Sequence, residues 1–260
     1  MDQRSPARHP DWLGPDDLII KIEELREATE WRVPIFVKMG ATRVFDDVRL
    51  AWKAGADAVV VDGMEGGTGA SPDLLLEHTG IPTLAAVCEA RAALEDVGAY
   101  GQMQLIIAGG IRSGADAAKA IALGADAIYI GTAALIALNC NRPIYLEDYR
   151  ALGTEPHACH HCHTGRCPVG IATQEPALMQ RLPIDEAAER VTNFLHAMTL
   201  EIQMLARACG KADVHDLDPE DMRALTLEAS MITGIPLVGT RRAFGGGPGW
   251  KEETTSAHTR

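Results

Sequence analysis

The chain lacks any uninterrupted apolar run long enough to cross a bilayer. Its opening residues, Met-Asp-Gln-Arg-Ser-Pro-Ala-Arg-His-Pro, lack the apolar core of a secretory signal. It is short of positive charge, with 24 Lys and Arg against 36 Asp and Glu and a formal net charge of −12. That balance argues against nucleic acid or an anionic membrane as a partner, because both require basic surface. No Gly-x-Gly-x-x-Gly fingerprint follows an apolar run, and there are no repeats beyond βα units. Six cysteines in 260 residues are too few for a disulfide scaffold. These absences point to a soluble cytoplasmic protein with enough chain for one large domain or two modest ones.

Three of the six cysteines crowd into one run, Cys159-His-His-Cys162-His-Thr-Gly-Arg-Cys167-Pro168. Thiols this close, in a chain without secretion signals, read as metal ligands rather than disulfides. A terminal Cys-Pro suits an iron–sulfur cluster, where the backbone turns tightly around the sulfurs. Three thiolates fit a three-iron cluster, or a four-iron cluster whose last ligand lies elsewhere, with Cys140 the nearest candidate. On residues alone zinc stays open, since His160, His161 or His163 could complete a Cys3His site. Cys88 and Cys209 fall in helical patterns and read as buried apolar residues.

Periodicity divides the chain near Ile136–Asn141. Before that point, apolar runs at Val33–Lys38, Ala58–Asp62, Pro82–Val87, Gln104–Gly109 and Ala127–Gly131 alternate with helical stretches. The helices are expected after Gly14 and over Val44–Ala54, Cys88–Val97 and Ser113–Leu123. Apolar strands alternating with helices imply parallel βα units. About five units are visible and a closed (β/α)8 barrel needs eight, so the expected fold is α/β, the C-terminal part of a TIM-type barrel. After the cysteines only helices are expected. One is capped by Asp185 and runs to Cys209, with Val191, Phe194, Leu195, Met198, Ile202 and Leu205 on one face; another runs from Asp218-Pro219 to Gly234.

Two glycine turns follow the last two strands: Gly109-Gly110-Ile111-Arg112-Ser113-Gly114 and Gly131-Thr132. Glycine-freed amides at helix starts form anion sites, and a pair in this place matches the phosphate site of a barrel. The plainer alternative is that the glycines only make tight turns. A third glycine loop, Asp62-Gly63-Met64-Glu65-Gly66-Gly67-Thr68-Gly69-Ala70-Ser71-Pro72, leaves another strand end, where a flat ligand could approach the backbone. Lys38 ends its strand at the same mouth and could hold a substrate carboxylate or the electron-rich edge of a flavin.

These elements together resemble the FMN-binding synthase domain of glutamate synthases, in particular the small archaeal-type members and the related subunit of N-methylglutamate synthase. The residues that carry the likeness are Ser5-Pro6, His9, Asp11, Val37-Lys38, Gly66 to Pro72, Gly109-Gly110-Ile111, and Cys162-His163-x3-Cys167-Pro168-Val169-Gly170-Ile171-Ala172-Thr173-Gln174. The likeness runs to about Thr240 and favours iron–sulfur over zinc.

The resemblance implies FMN in a barrel mouth and a three-iron or four-iron cluster that exchanges electrons with it. It implies reduction of a 2-oxoglutarate-derived imine to glutamate. Lys38 and Glu65 would be the catalytic side chains; Lys38, Gly66, Gly67, Thr68, Gly109, Gly110, Gly131 and Thr132 would border FMN; and Cys159, Cys162 and Cys167 would hold the cluster. Residues 1–140 would be the partial FMN-binding barrel, 141–175 the cluster loop, 176–240 a helical extension and 241–260 a disordered tail. Met1-Asp2 offers no glutaminase cysteine, so glutaminase-like and electron-donor subunits are implied as partners. Alternatives are an N-methylglutamate synthase subunit, which makes N-methylglutamate and ammonia from methylamine and glutamate, and a truncated electron-transfer subunit without catalysis. The sequence departs from the longer synthases in three respects: Cys140 stands roughly where their first cluster cysteine lies, and Asn141–Ala158 then separates it from Cys159; their barrel begins well upstream of Met1; and Lys38 is followed by Met39-Gly40-Ala41-Thr42 rather than their longer substrate loop.

Overall fold

The computed structural model describes residue 6 and residues 8–66 and 70–244. In chain order the first part contains α1 (Pro15–Ala28), β1 (Phe36–Gly40), α2 (Val44–Lys53), β2 (Ala58–Asp62), α3 (Asp73–His78), α4 (Thr83–Asp96), β3 (Gln104–Ala108), α5 (Gly114–Ala122), β4 (Ala127–Ile128) and α6 (Thr132–Ala137). α7 (Leu146–Ala151), α8 (Pro176–Met179), α9 (Ile184–Ala208) and α10 (Leu227–Thr233) follow.

The four strands form one parallel sheet in the order β1-β2-β3-β4. Sequential order without a reversal is that of a barrel wall, whereas a doubly wound sheet switches direction part-way. Crossovers of one hand, always stepping the same way, put the helices on one face. Accordingly Val59, Val61, Leu105 and Ile107 share a core with α1, α2, α4 and α5, through Ile22, Val48, Ala90, Leu94 and Ala120. Alternate residues point the other way, and Ala58, Val60, Ile106 and Ala108 form a small separate cluster. Phe36 and Lys38 lie on that second face by register with Ala58 and Val60, and both are half exposed or more. The architecture is thus an α/β fold with a four-stranded parallel sheet, consistent with part of a barrel wall, whose second face is open beside β1.

Where about five strands were expected, the described residues form four. Pro82–Val87 is not a strand: Pro82 caps α4, and the chain is helical from Thr83. The stretch is rich in alanine, the strongest helix former. Its first part is buried at Thr83, Ala86, Val87 and Cys88 and carries no charged residue before Glu89, so that part lacks the polar face that marks a surface helix. A short apolar run of that kind does not distinguish strand from buried helix.

The C-terminal part is helical as expected, with differences. α9 spans 25 residues from its cap at Pro183, and Asp185 sits in its first turn instead of capping it. Its buried line is Ala187, Met198 and Ala206, with Phe194 and Ile202 beside them, whereas Leu195 and Leu205 are exposed. α9 closes tightly on α5: a Cβ on Gly114 would lie 2.4 Å from Glu201 Cβ and 2.5 Å from the Met198 carbonyl oxygen. The helix expected from Asp218 to Gly234 is two pieces. Asp218 caps a single turn at Pro219–Asp221, the chain then extends so that Ala224 bonds Pro236 and Val238, and Thr226 caps α10 through the Ala229 amide. Gly234, at φ 72°, ends α10. The expected tail lies outside the described residues beyond Phe244.

Candidate active site at the strand ends and the cysteine loop

The C-terminal ends of four adjacent parallel strands gather the residues predicted to act. Lys38, expected to end its strand, stands mid-way along β1, and its Nζ lies 2.9 Å from Asp62 Oδ2 at the end of β2. Gly66 is crowded against the same carboxylate, since a Cβ there would stand 2.6 Å from Asp62 Oδ1. Gly67 and Thr68 lie outside the described residues.

Glu65 turns inward toward α4. Its Oε2 accepts the Thr83 backbone N–H at 2.9 Å and is 2.7 Å from Thr83 Oγ1. That hydroxyl also faces the Gly109 carbonyl at 2.9 Å, so its one hydrogen serves two acceptors. The carboxylate therefore caps a helix whose first N–H groups have no intrahelical partner. The surrounding glycines leave no room for a side chain. A Cβ on Gly63 would fall 1.9 Å from Thr83 Oγ1, and one on Gly109, at φ 105°, would fall 2.6 Å from the same atom. On Gly110, at φ 70°, it would fall 2.8 Å from Glu65 Cβ. Gly109 and Gly110 thus let the β2 and β3 loops cross at Thr83, a role independent of any ligand.

The two glycine turns differ at the helix starts they open. At α5 the first-turn donors already have partners. Ser113 accepts the Asp116 N–H, Asp116 Oδ2 faces the Arg112 N–H at 3.3 Å, and Glu201 Oε2 accepts the Gly114 N–H at 2.6 Å. Two carboxylates thus occupy the end where a phosphate was expected. At α6 no side chain caps the helix, Gly131 and Thr132 are exposed, and no atom stands within 4 Å of where a Gly131 Cβ would lie. The open cradle is the β4–α6 turn.

Just beyond α6, Asn139 stands at φ 72°, and the Cys140 N–H returns to the Leu135 carbonyl at 2.9 Å. Arg190 of α9 donates to Ala137 O at 3.2 Å, fixing that end. Beyond it, Tyr149 on α7 is fully enclosed and packs with Cys167 and Val169, while Cys159 lies against the same group. The Tyr149 phenol donates to the Cys140 carbonyl at 2.5 Å. Burial first, then the Cys162, Cys167 and Cys159 thiols, push the Cys140 thiol up to about 11. Cys159 and Cys162 are raised for the same reasons, with the His161 backbone opposing the shift at Cys159. Four sulfurs therefore share one electrostatic neighbourhood. All are free thiols. Gly170, at φ 82°, is required for the loop, because a Cβ there would meet Leu178 O at 2.3 Å. Among the described residues, no three His, Cys, Asp or Glu side chains are gathered as a single metal ion would need them.

Comparison with known proteins decides the family. The conserved region of glutamate synthase matches residues 1–212. A glutamate synthase large subunit-like protein of Rhizobium meliloti (strain 1021) is 55% identical over 240 residues, which cover 92% of this chain and 54% of that protein. The archaeal glutamate synthase [NADPH] of Methanocaldococcus jannaschii is 41% identical over 217 residues, covering 83% of this chain and 39% of that one. The archaeal-type enzyme of Dehalococcoides mccartyi is 38% identical over 243 residues, covering 92% and 45%. This chain belongs to the glutamate synthase family. It spans about half the length of the curated relatives it matches.

For this glutamate synthase family member, the structure brings Lys38 and Gly66 together at Asp62, and Glu65, Gly109 and Gly110 together at Thr83. Gly131 and Thr132 stand one strand further on. Cys209, expected to be buried, is exposed at the end of α9, whereas Cys88 is buried as expected. Asp62, Thr83, Glu201 and Tyr149 carry much of the geometry and were not singled out in the sequence. Thr83 was hidden by the strand assignment of its segment. Nothing in the order of residues pairs Glu201 with Gly114, which are 87 positions apart.

Proposed function

We propose that the chain forms the flavin- and iron–sulfur-dependent part of a glutamate synthase-type oxidoreductase that reduces a 2-oxoglutarate-derived imine to glutamate. The observation that supports this most is the packing of Cys167 with the buried Tyr149 and of Cys159 against the same group, in a loop that also carries Cys162. Thiol donors close together in a turning loop suit an iron–sulfur cluster. For FMN, the Gly131–Thr132 turn fits a phosphate better than the α5 turn, where Asp116 and Glu201 would repel it.

When bound, FMN would supply hydride to the imine carbon and the cluster would supply electrons. This chain's own residues would do the rest. The Gly131 and Thr132 amides would bind the phosphate. Lys38, oriented by Asp62, would hold a carboxylate of the keto acid at the strand ends. Glu65, engaged with Thr83, would set the wall of the mouth by fixing the β2 loop. Ammonia and reducing equivalents would come from glutaminase-like and electron-donor partners.

A second reading, an electron-transfer part without its own flavin, is favoured by one feature: the sheet's second face is open beside β1, where Phe36 is half exposed. Purification without oxygen, followed by an absorption spectrum and assays of flavin, iron and sulfide, separates the two. Flavin with iron is the expected result. Iron without flavin would leave only the second reading, and zinc with neither would overturn both.

A further inference from the structure

We propose that Arg190, on α9, is a positioning residue for the Gly131–Thr132 turn, and so for the phosphate end of the flavin. This rests on the flavin reading above. It gives α9, which lies outside the strand-end mouth, a part in cofactor affinity.

The turn has little support of its own. α6 is six residues long, Thr132–Ala137; none of them is buried, and no side chain caps the helix at Gly131. A helix this short is not stable in water without tertiary contacts. Its last carbonyls also need partners from outside the helix.

Arg190 supplies such contacts. Its Nε donates to the Ala137 carbonyl at 3.2 Å. With the Asn139 amide turned to match its neighbours, the side-chain oxygen accepts from Arg190 Nη2 at 2.8 Å and from Nη1 at 3.3 Å. Asparagine tolerates the φ of 72° found here, and the bend brings its amide to the guanidinium. Glu186, one turn back on α9, pairs with Arg190 Nη1 and holds the group in place. The cation also sits at the negative end of the α6 dipole. Six helical residues make a rod about 9 Å long, so fixing its far end fixes where the Gly131 and Thr132 N–H groups point.

The same helix backs the other side of the turn. Ile128 in β4 and Ile130, the residue before Gly131, pack with Phe194, Met198 and Ile202 of α9. Ile111, which follows the Gly109-Gly110 turn, joins that cluster, and Glu201 accepts the Gly114 N–H at 2.6 Å. α9 thus grips the chain before and after the open turn and ties it to its neighbour. The apolar contacts hold the wall as a whole, whereas Arg190 is the polar contact that reaches α6 itself.

The test uses the full chain, freed of flavin and titrated with FMN or with riboflavin, which lacks the phosphate. Flavin fluorescence reports binding, and thermal unfolding is recorded alongside. Wild-type protein should bind FMN more tightly than riboflavin. Arg190→Gln removes the charge and the fork and should weaken FMN about tenfold, the size of a lost charge-assisted hydrogen bond, while riboflavin binds as it does to wild type. A merely structural role would weaken both flavins alike, and that result would overturn the inference. If Arg190→Gln fails to fold, Asn139→Gly decides. It keeps the bend, leaves Arg190 on the Ala137 carbonyl, and should weaken FMN alone by a smaller factor; unchanged FMN affinity there would overturn the inference. Unchanged FMN affinity in a folded Arg190→Gln would do the same and leave the flavin reading intact. Wild-type protein that binds neither flavin, or both equally, would overturn the phosphate reading and this inference with it.

Discussion

Glu65 and Thr83 are joined twice: one carboxylate oxygen takes both the backbone N–H, at 2.9 Å, and the hydroxyl, at 2.7 Å. The residue expected to be catalytic is therefore also a helix cap. Glu65→Gln keeps the shape but removes the charge, and should cost about 1–2 kcal/mol of unfolding free energy in urea. Thr83→Val should cost a similar amount. Because the two side chains act as one unit, the double variant should lose clearly less than the sum. Strict additivity would show that Glu65 does not work through Thr83.

Gly114 tests the seam between the sheet's helices and the C-terminal extension. An added methyl would meet the Met198 carbonyl at 2.5 Å, and that atom belongs to a helix backbone that cannot swing aside. The Glu201 bond to the Gly114 amide would be disturbed as well. Gly114→Ala should therefore destabilise the protein by about 1–3 kcal/mol, despite alanine's better helix propensity. A more stable variant in thermal unfolding would show that α9 does not dock as described.

Most of the sheet was legible in the sequence, and the long-range partners of the loops were not. Ala58–Asp62 and Gln104–Ala108 announce themselves because both faces are buried, so the apolar run is unbroken. The same absence of polar residues disguised the start of α4, Thr83–Val87, as a strand, while Cys88 onward was read as helix. The cysteine loop was visible because three thiols and a proline stand close together in sequence. Tyr149 was invisible, since a lone aromatic in a polar stretch, Leu-Glu-Asp-Tyr-Arg-Ala, gives no sign that it will be buried. The glycine turn after β3 carried the right sequence for an anion site, but Glu201, distant in sequence, supplies a carboxylate in place of one. Such long-range partners have no local signature.

His215 ties the turn after α9 to the start of β4. Its Nε2 faces the Asp126 carbonyl at 2.9 Å and its Nδ1 faces Asp213 Oδ1 at 3.2 Å. Both neighbours accept, so the doubly protonated ring satisfies both. The Asp126 carbonyl first, and Asp213 with it, raise the ring above its usual 6.5 against some loss from burial. The stabilisation is thus fully present below about pH 6.5 and is lost as pH rises through the higher folded-state value. Stability measured by urea titration should decline across that window, and His215→Gln should flatten the decline. An identical slope in the variant would remove His215 as its cause.

Lys38 separates a structural from a catalytic role most sharply. Its ammonium is 2.9 Å from Asp62, yet the lysine is 55% exposed. An exposed pair of this kind contributes between zero and about 1 kcal/mol, since water screens the attraction and two side chains must be ordered. Lys38→Met should accordingly leave unfolding and bound flavin nearly unchanged. If the lysine holds the keto acid, the same change removes a charge from the reacting end of the sheet, where such a group is worth about 100-fold or more. The expected result is a loss of that size in kcat/KM for 2-oxoglutarate in the assembled enzyme. Asp62→Asn leaves the lysine charged but unheld, and should raise KM more than it lowers kcat. Normal kinetics in Lys38→Met would remove the lysine from the site and leave it as the partner of Asp62 alone.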